Sequence, residues 1–150
     1  MRRVLAGIAF VTSPMLFAQS ALSGFGEFAR SRPNAVLGLL FLIGWAASLV
    51  ALRRARATGR GAAGAALFVA QAAGLTLAAM QQIQDFLYPG APPQTTFYAV
   101  CDAAWPLSVL AMIVTGIFAA VAHVMKGWRR WTPLLCGLAL PVLFSTMMPN

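Results

Sequence analysis

The chain has 150 residues, of which 60% are hydrophobic and only 9% are charged. A soluble domain carries about 25% charged residues, so this composition excludes an ordinary water-soluble fold and indicates that a lipid bilayer is the solvent. The formal net charge is +8, but the basic residues flank apolar runs and never line a helical face within one, which argues against nucleic-acid binding.

Five apolar stretches are predicted to form transmembrane helices. A helix needs about 20 residues to cross a bilayer, and short connections favour antiparallel neighbours. We therefore predict an all-α integral membrane helical bundle that forms a single domain over residues 1–150. The predicted helices cover residues 4–22, 35–52, 62–84, 97–124 and 132–148.

The first stretch has two interpretations. Two arginines, an apolar run and the tripeptide Ala18-Gln19-Ser20 are also the parts of a secretory signal peptide. Cleavage there removes residues 1–20 and leaves four helices, whereas retention leaves five, the first broken at Pro14. We favour retention because the apolar character continues through Ala21 and Leu22.

The connections differ sharply in basic residues. Nine of the 11 Lys and Arg residues fall on one side of the alternating topology, and basic residues favour the cytoplasmic side. This predicts a cytoplasmic N-terminus and an external C-terminus. The excess of arginine over lysine is typical of GC-rich bacterial genomes, so we expect the bacterial inner membrane. The last stretch is short and contains Pro141, which leaves open whether it spans completely.

The third stretch carries a ladder of small residues. Ala62, Ala66, Ala70, Gly74 and Ala78 recur every four positions. Small side chains let a second helix approach closely, and this contact drives helix association in lipid. We therefore predict a helix-packing surface, whose partner is either another helix of the chain or another subunit.

Polar residues follow the same helix toward its end. Gln71, Gln82 and Asp85 fall within about 60° of one another on a helix, and Asp102 begins the next helix across the loop. A polar side chain within a membrane needs a partner. One interpretation is an ion-binding track in a small transporter or channel-like carrier. The other is hydrogen bonding between helices, with salt bridges or hydration at the two carboxylates.

Basic residues gather at the predicted cytoplasmic ends of the helices. They suit anionic lipid headgroups, with Trp128 and Trp131 at the interface. Generic anchoring and a pocket for one anionic lipid are both open. The predicted lipid-facing basic rim comprises Arg53, Arg54, Arg56, Lys126, Arg129 and Arg130.

The sequence contains no catalytic triad, no metal-ligand spacing and no cofactor fingerprint. We therefore predict a non-enzymatic protein without catalytic residues, metal or cofactor, acting as an accessory or structural subunit. The expected partners are membrane lipids, anionic lipids among them, and a second copy or other membrane subunits. A membrane enzyme or electron-transfer subunit is a further alternative, which needs a cofactor or residues from another chain.

Overall fold

Helices account for nearly the whole of the described chain. The computed structural model describes residues 2–23, 31–59, 61–90 and 93–147, and these contain no strand. A short 3-10 turn, Gly127–Trp131, precedes the last helix. The α-helices are α1 (Arg2–Thr12), α2 (Pro14–Ser23), α3 (Arg32–Arg54), α4 (Ala62–Leu87), α5 (Thr96–Val121) and α6 (Thr132–Met147).

Three of these helices are long and apolar enough to cross a membrane. α3, α4 and α5 have 23, 26 and 26 residues, and the mean hydropathies of their most apolar windows are 2.4, 1.6 and 2.0. About 20 helical residues cover a hydrocarbon core of about 30 Å. The helical bundle predicted from the sequence is therefore supported, and three apolar helices of membrane-spanning length support a membrane protein.

The first predicted helix is divided into two. α1 ends at Thr12 and α2 begins at Pro14, because proline has no N–H to donate and its fixed φ suits the first position of a helix. The N–H of Ser13 still donates to the carbonyl of Ala9 at 3.0 Å. The break therefore falls next to the proline that predicted it.

α5 ends sooner than the sequence predicted. Its last residue is Val121 rather than residue 124. His123 follows with a φ of 51°, the left-handed conformation that L-residues seldom adopt. The chain therefore leaves the helix before the basic segment that leads into α6.

Each helix packs chiefly on its neighbours in the sequence. α1 and α2 lie against α3, α3 against α4, α4 against α5, and α5 against α6. Large side chains of α3 and α5 also meet beside α4, where the rings of Phe41 and Trp105 stack with centroids 6.2 Å apart. α4 therefore lies in the middle of the row of helices.

The apolar core lies where α3, α4 and α5 meet. All three helices contribute apolar side chains to it, and α3 contributes its one buried aromatic ring. Its buried members are Leu42, Trp45, Leu49, Leu75, Ala78, Val109 and Met112. Because Leu75 and Ala78 lie between Gln71 and Gln81 on α4, this core separates Gln71 from the polar residues near the end of that helix.

Candidate functional site

The interface between α4 and α5 contains several buried polar side chains. Gln71 contacts Ser108, and Gln81 contacts Tyr98. These two pairs show that the helices run antiparallel. We refer below to the end of α4 that leads into α5 as the loop end and to the end that follows α3 as the turn end.

Five side chains form one hydrogen-bonded group at the loop end, and we call this group the loop-end network. The Tyr98 hydroxyl donates to Asp85 Oδ1 at 2.8 Å, and Gln81 Nε2 donates to Asp85 Oδ2. Gln81 Oε1 accepts from Trp105 Nε1 at 3.0 Å and from Gln82 Nε2 at 2.9 Å. Gln81 is therefore the centre of the network.

Local sequence explains how these side chains meet. Gln81 and Asp85 are four residues apart on α4, which places them on one face. Thr95 caps α5 by accepting from the N–H of Tyr98 at 3.1 Å, and this fixes the start of α5 next to the end of α4. The loop-end network is thus set by one helix turn and one helix cap.

α3 completes the surroundings of the loop-end network. A Cβ atom on Gly38 of α3 would lie 2.5 Å from Gln82 Oε1, so the absence of a side chain at Gly38 makes room for this amide. Gln82 is 5% exposed, and its Oε1 has no hydrogen-bond partner among the described atoms. One buried amide oxygen is therefore available for a further donor.

The two carboxylates of the predicted track have different surroundings. Asp85 is half-buried and accepts hydrogen bonds from two neutral donors, Tyr98 and Gln81. Asp102 is exposed on α5. Hydrogen bonds to the charged form of a carboxylate stabilise it, so Asp85 is held in place by the chain itself, whereas Asp102 faces outward.

Gln71 forms a second, separate polar contact near the middle of α4. It is fully buried, and its Nε2 donates to the carbonyl oxygen of Ser108 at 2.9 Å. Gln71 Oε1 and Ser108 Oγ have no hydrogen-bond partner among the described atoms. Gly74 packs directly on this contact, since a Cβ there would overlap with the Ser108 hydroxyl.

Apolar residues separate Gln71 from the loop-end network. Gln71 and Gln81 are about 15 Å apart along α4 at 1.5 Å per residue, and the core residues Leu75 and Ala78 lie between them. The sequence analysis placed Gln71, Gln82 and Asp85 on one helical face. In the described structure, Gln71 belongs to one hydrogen-bonded site, and Gln82 and Asp85 belong to another.

The ladder of small residues divides between two environments. Ala62, Ala66 and Ala70 are exposed, Gly74 is half-buried, and Ala78 is fully buried in the core. Four residues advance a helix by about 400°, so each step of the ladder drifts by about 40° around the axis. Over its length the ladder therefore turns from the outer face of α4 toward α3 and α5.

A second pattern occupies the exposed face of α4, and we call it the α4 stripe. Its members alternate at spacings of four and three residues, which is the pattern of a seam between two packed helices. All of them are exposed: Ala62, Ala66, Val69, Ala73, Thr76, Met80, Ile83 and Leu87. In the described structure no helix of the chain covers the stripe.

Basic residues of the predicted rim lie in different settings. Arg53 is half-buried, with its guanidinium carbon 6.0 Å from the centroid of the Phe68 ring. Arg130 Nη1 lies 2.8 Å from His123 Nδ1. Arg54, Arg56 and Lys126 are exposed. The side chain of Arg129 lies outside the described part.

Several residues of these sites escaped the sequence analysis. The candidate residues predicted from the sequence do not include Gln81, Tyr98, Trp105 or Ser108. The spacing of Gln81 and Asp85 was an available signal, because an amide and a carboxylate four residues apart on a helix interact. Nothing in the sequence pairs Gln71 with Ser108.

Two further findings bear on function. Within the described ranges, no group of three or more His, Cys, Asp or Glu residues is placed to hold a metal ion. Comparison of the chain with protein-family models, with curated proteins and with solved structures finds no match.

Proposed function

We propose that the chain is a small, non-enzymatic, multi-pass membrane protein that acts as an accessory or structural subunit. It associates through the α4 stripe with a second copy or with a larger membrane complex. The observation that carries this proposal is the exposure of the stripe along the whole length of the helix in the middle of the row.

The composition of the stripe supports association in lipid. Burial of apolar surface gives little driving force between helices there, so association depends on close van der Waals packing. Three of the four stripe residues in the first half of α4 are alanines, namely Ala62, Ala66 and Ala73. They allow the backbone of a second helix to approach, while the larger Met80 and Ile83 supply contact area in the other half.

The finer topology is part of the same proposal. We propose five membrane segments with residues 1–20 retained, a cytoplasmic N-terminus and the bacterial inner membrane as the location. The excess of basic residues on one set of connections supports this orientation. An alkaline phosphatase fused after residue 150 should be active, and the intact mass should include Met1. An inactive fusion, or a mature chain that begins at Ala21, would contradict it.

Association is tested by substituting one residue of the stripe. We expect the wild-type protein in mild detergent to give a defined oligomer, or a complex with other subunits, in native mass spectrometry. Ala73→Leu should weaken that association by about tenfold or more, because added methylene groups hold the backbones apart. Ala46→Leu is the matched control, since Ala46 is exposed near the middle of α3 and lies outside the stripe.

Two outcomes would overturn the proposal. One is a wild-type protein that is strictly monomeric and copurifies with no other chain. The other is an equal loss of association in Ala73→Leu and Ala46→Leu, because the stripe would then have no special role.

A small transporter or channel-like carrier is the second candidate. The observation in its favour is the pair of buried amide oxygens, Gln71 Oε1 and Gln82 Oε1, that have no partner among the described atoms. Flux in proteoliposomes should then fall in Gln71→Leu and in Asp102→Asn. Equal flux in the wild type and both variants would remove this candidate.

A further inference from the structure

Another polar site lies at the turn end of α4. Its first part is the C-terminal end of α3. The N–H of Arg56 donates to the carbonyl of Arg53, and that of Ala57 to the carbonyl of Leu52, both at 3.0 Å. This is a Schellman motif, and Arg56 adopts the left-handed conformation that it requires, with a φ of 53°. The motif buries Ala57 completely and directs Thr58 back onto the first turn of α4.

The first turn of α4 is built to receive Thr58. A Cβ atom on Gly64 would lie 2.7 Å from Thr58 Oγ1 and 2.8 Å from its carbonyl oxygen, so a side chain would not fit there. The helix starts after Gly61, which has no side chain to cap it. Gly64 is the third residue of this 26-residue helix, so the positive end of the helix dipole lies next to Thr58.

A small cavity lies beside this turn. Its volume is about 10 Å³, and Thr58, Gly64 and Thr115 line it. This is the space of about one oxygen atom or water molecule. Thr115 comes from α5, is only 3% exposed, and its Oγ1 has no hydrogen-bond partner among the described atoms. The cavity thus offers one buried hydroxyl donor to whatever enters it.

A cationic group stands at the same cavity. Arg53 also lines it, and its half-buried guanidinium packs beside the ring of Phe68. The two described acids, Asp85 and Asp102, both lie toward the loop end, away from this cavity. The charge at the turn end is therefore positive, from both the arginine and the helix N-terminus.

We propose that this site binds a phosphate group. One phosphate oxygen enters the cavity and accepts from the Thr115 hydroxyl, while the guanidinium of Arg53 binds the remaining oxygens at the mouth. A guanidinium and an uncapped helix N-terminus are both favourable for phosphate. The rest of the lining is apolar, which suits the glycerol region of a lipid, and consists of Leu49, Leu52, Leu67 and Phe68. An anionic phospholipid headgroup is therefore the expected source.

This inference rests on the proposed membrane location of α3, α4 and α5, but it does not depend on the oligomeric state. Lipid bound per chain is measured in whatever assembly the protein forms. A failure of association through the α4 stripe and a failure of phosphate binding are therefore separate results.

The test uses the full chain and two variants of the lining. The protein is released for native mass spectrometry from nanodiscs that contain equal phosphatidylglycerol and phosphatidylcholine, and retained lipids are counted. Arg53→Gln should lower phosphatidylglycerol retention by about tenfold or more, since it removes charge-assisted hydrogen bonds. Thr115→Val keeps the side-chain shape and should lower retention by about tenfold, since one hydrogen bond to the charged phosphate is lost.

The matched control removes a neighbouring arginine. Arg56→Gly takes one positive charge from the same turn, but Arg56 does not line the cavity, and glycine adopts its left-handed backbone readily. Retention should be close to that of the wild type. Equal losses in Arg56→Gly and Arg53→Gln would show generic charge attraction and overturn the site, as would unchanged retention in Thr115→Val.

A second arm identifies the source of the phosphate. The thermal unfolding midpoint in detergent is measured with added phosphatidylglycerol or with inorganic phosphate. Stabilisation by the lipid alone, lost in Arg53→Gln, supports a headgroup, whereas stabilisation by inorganic phosphate alone, lost in the same variant, supports a free anion. No stabilisation by either overturns the site. Arg53→Lys keeps the charge, and circular dichroism of each variant checks that the helices still form.

Discussion

The two ends of α4 are built in opposite ways. At the loop end, Gln81, Asp85 and Tyr98 satisfy one another, and the helix α5 is capped by Thr95. At the turn end, the N-cap residue Gly61 offers no side-chain cap, and the buried hydroxyl of Thr115 has no hydrogen-bond partner among the described atoms. Hydrogen bonds within the chain satisfy these groups of the loop end, apart from Gln82 Oε1, whereas the turn end leaves donors for a group from outside the chain.

The largest expected effect is at Gly74, which lies between these ends and packs against Ser108 of α5. Gly74→Leu forces a side chain into the Ser108 hydroxyl and should lower the free energy of unfolding by about 3 kcal/mol or more, as overpacking does. Unfolding in mixed detergent micelles, followed by tryptophan fluorescence, measures this. Ala73→Leu, one residue earlier and exposed, should stay within about 0.5 kcal/mol of the wild type.

This pair also separates folding from association. Gly74→Leu should destabilise the single chain, whereas Ala73→Leu should weaken assembly without unfolding it. Similar unfolding free energies for the two variants would mean that α4 and α5 are not closely packed at Gly74.

The next largest effect is expected at the loop end. Asp85→Ala removes the acceptor for Tyr98 and Gln81 and should lower the free energy of unfolding by about 2 kcal/mol, because two donors lose their partner. Asp102→Ala removes an exposed carboxylate and should change it by less than about 0.5 kcal/mol. The same micelle titration compares the two. Equal changes in the free energy of unfolding for the two variants would contradict a stabilising role for the hydrogen bonds of Asp85.

The smallest effect is expected in the middle of the interface. Gln71→Leu removes the hydrogen bond to the Ser108 carbonyl, but it also removes a buried oxygen that has no hydrogen-bond partner in the described part of the chain. The two changes oppose each other, and hydrogen bonds between membrane helices contribute about 0.6 kcal/mol on average. We expect the free energy of unfolding to change by less than about 1 kcal/mol. A loss of several kcal/mol would show that Gln71 anchors the interface.

The sequence was sufficient to locate the helices. Long apolar runs separated by proline, glycine and arginine predicted α3, α4 and α5 to within a few residues, and Pro14 marked the break between α1 and α2. These features depend on local composition and on backbone chemistry, which can be read from neighbouring residues.

The sequence was not sufficient to pair residues across helices. Gln71 meets Ser108, and Gln81 meets Trp105, only because α4 and α5 adopt one particular register, and that register depends on packing along the whole interface. The cavity beside Thr115 needs the register as well, together with the Schellman motif at Arg56. The ladder of small residues also looks uniform in the sequence. Its members lie in different environments because each step of four residues rotates around the axis of α4.

The packing of each helix on its neighbours in the chain has a consequence for biosynthesis. Since α3 packs on α1 and α2, α4 on α3, α5 on α4, and α6 on α5, each of these helices finds a neighbour that it packs on already synthesised. Local contacts of this kind need little loop closure before they form. The chain is therefore suited to assemble one helix at a time as the ribosome delivers it, with the exposed face of α4 left free until the chain is complete.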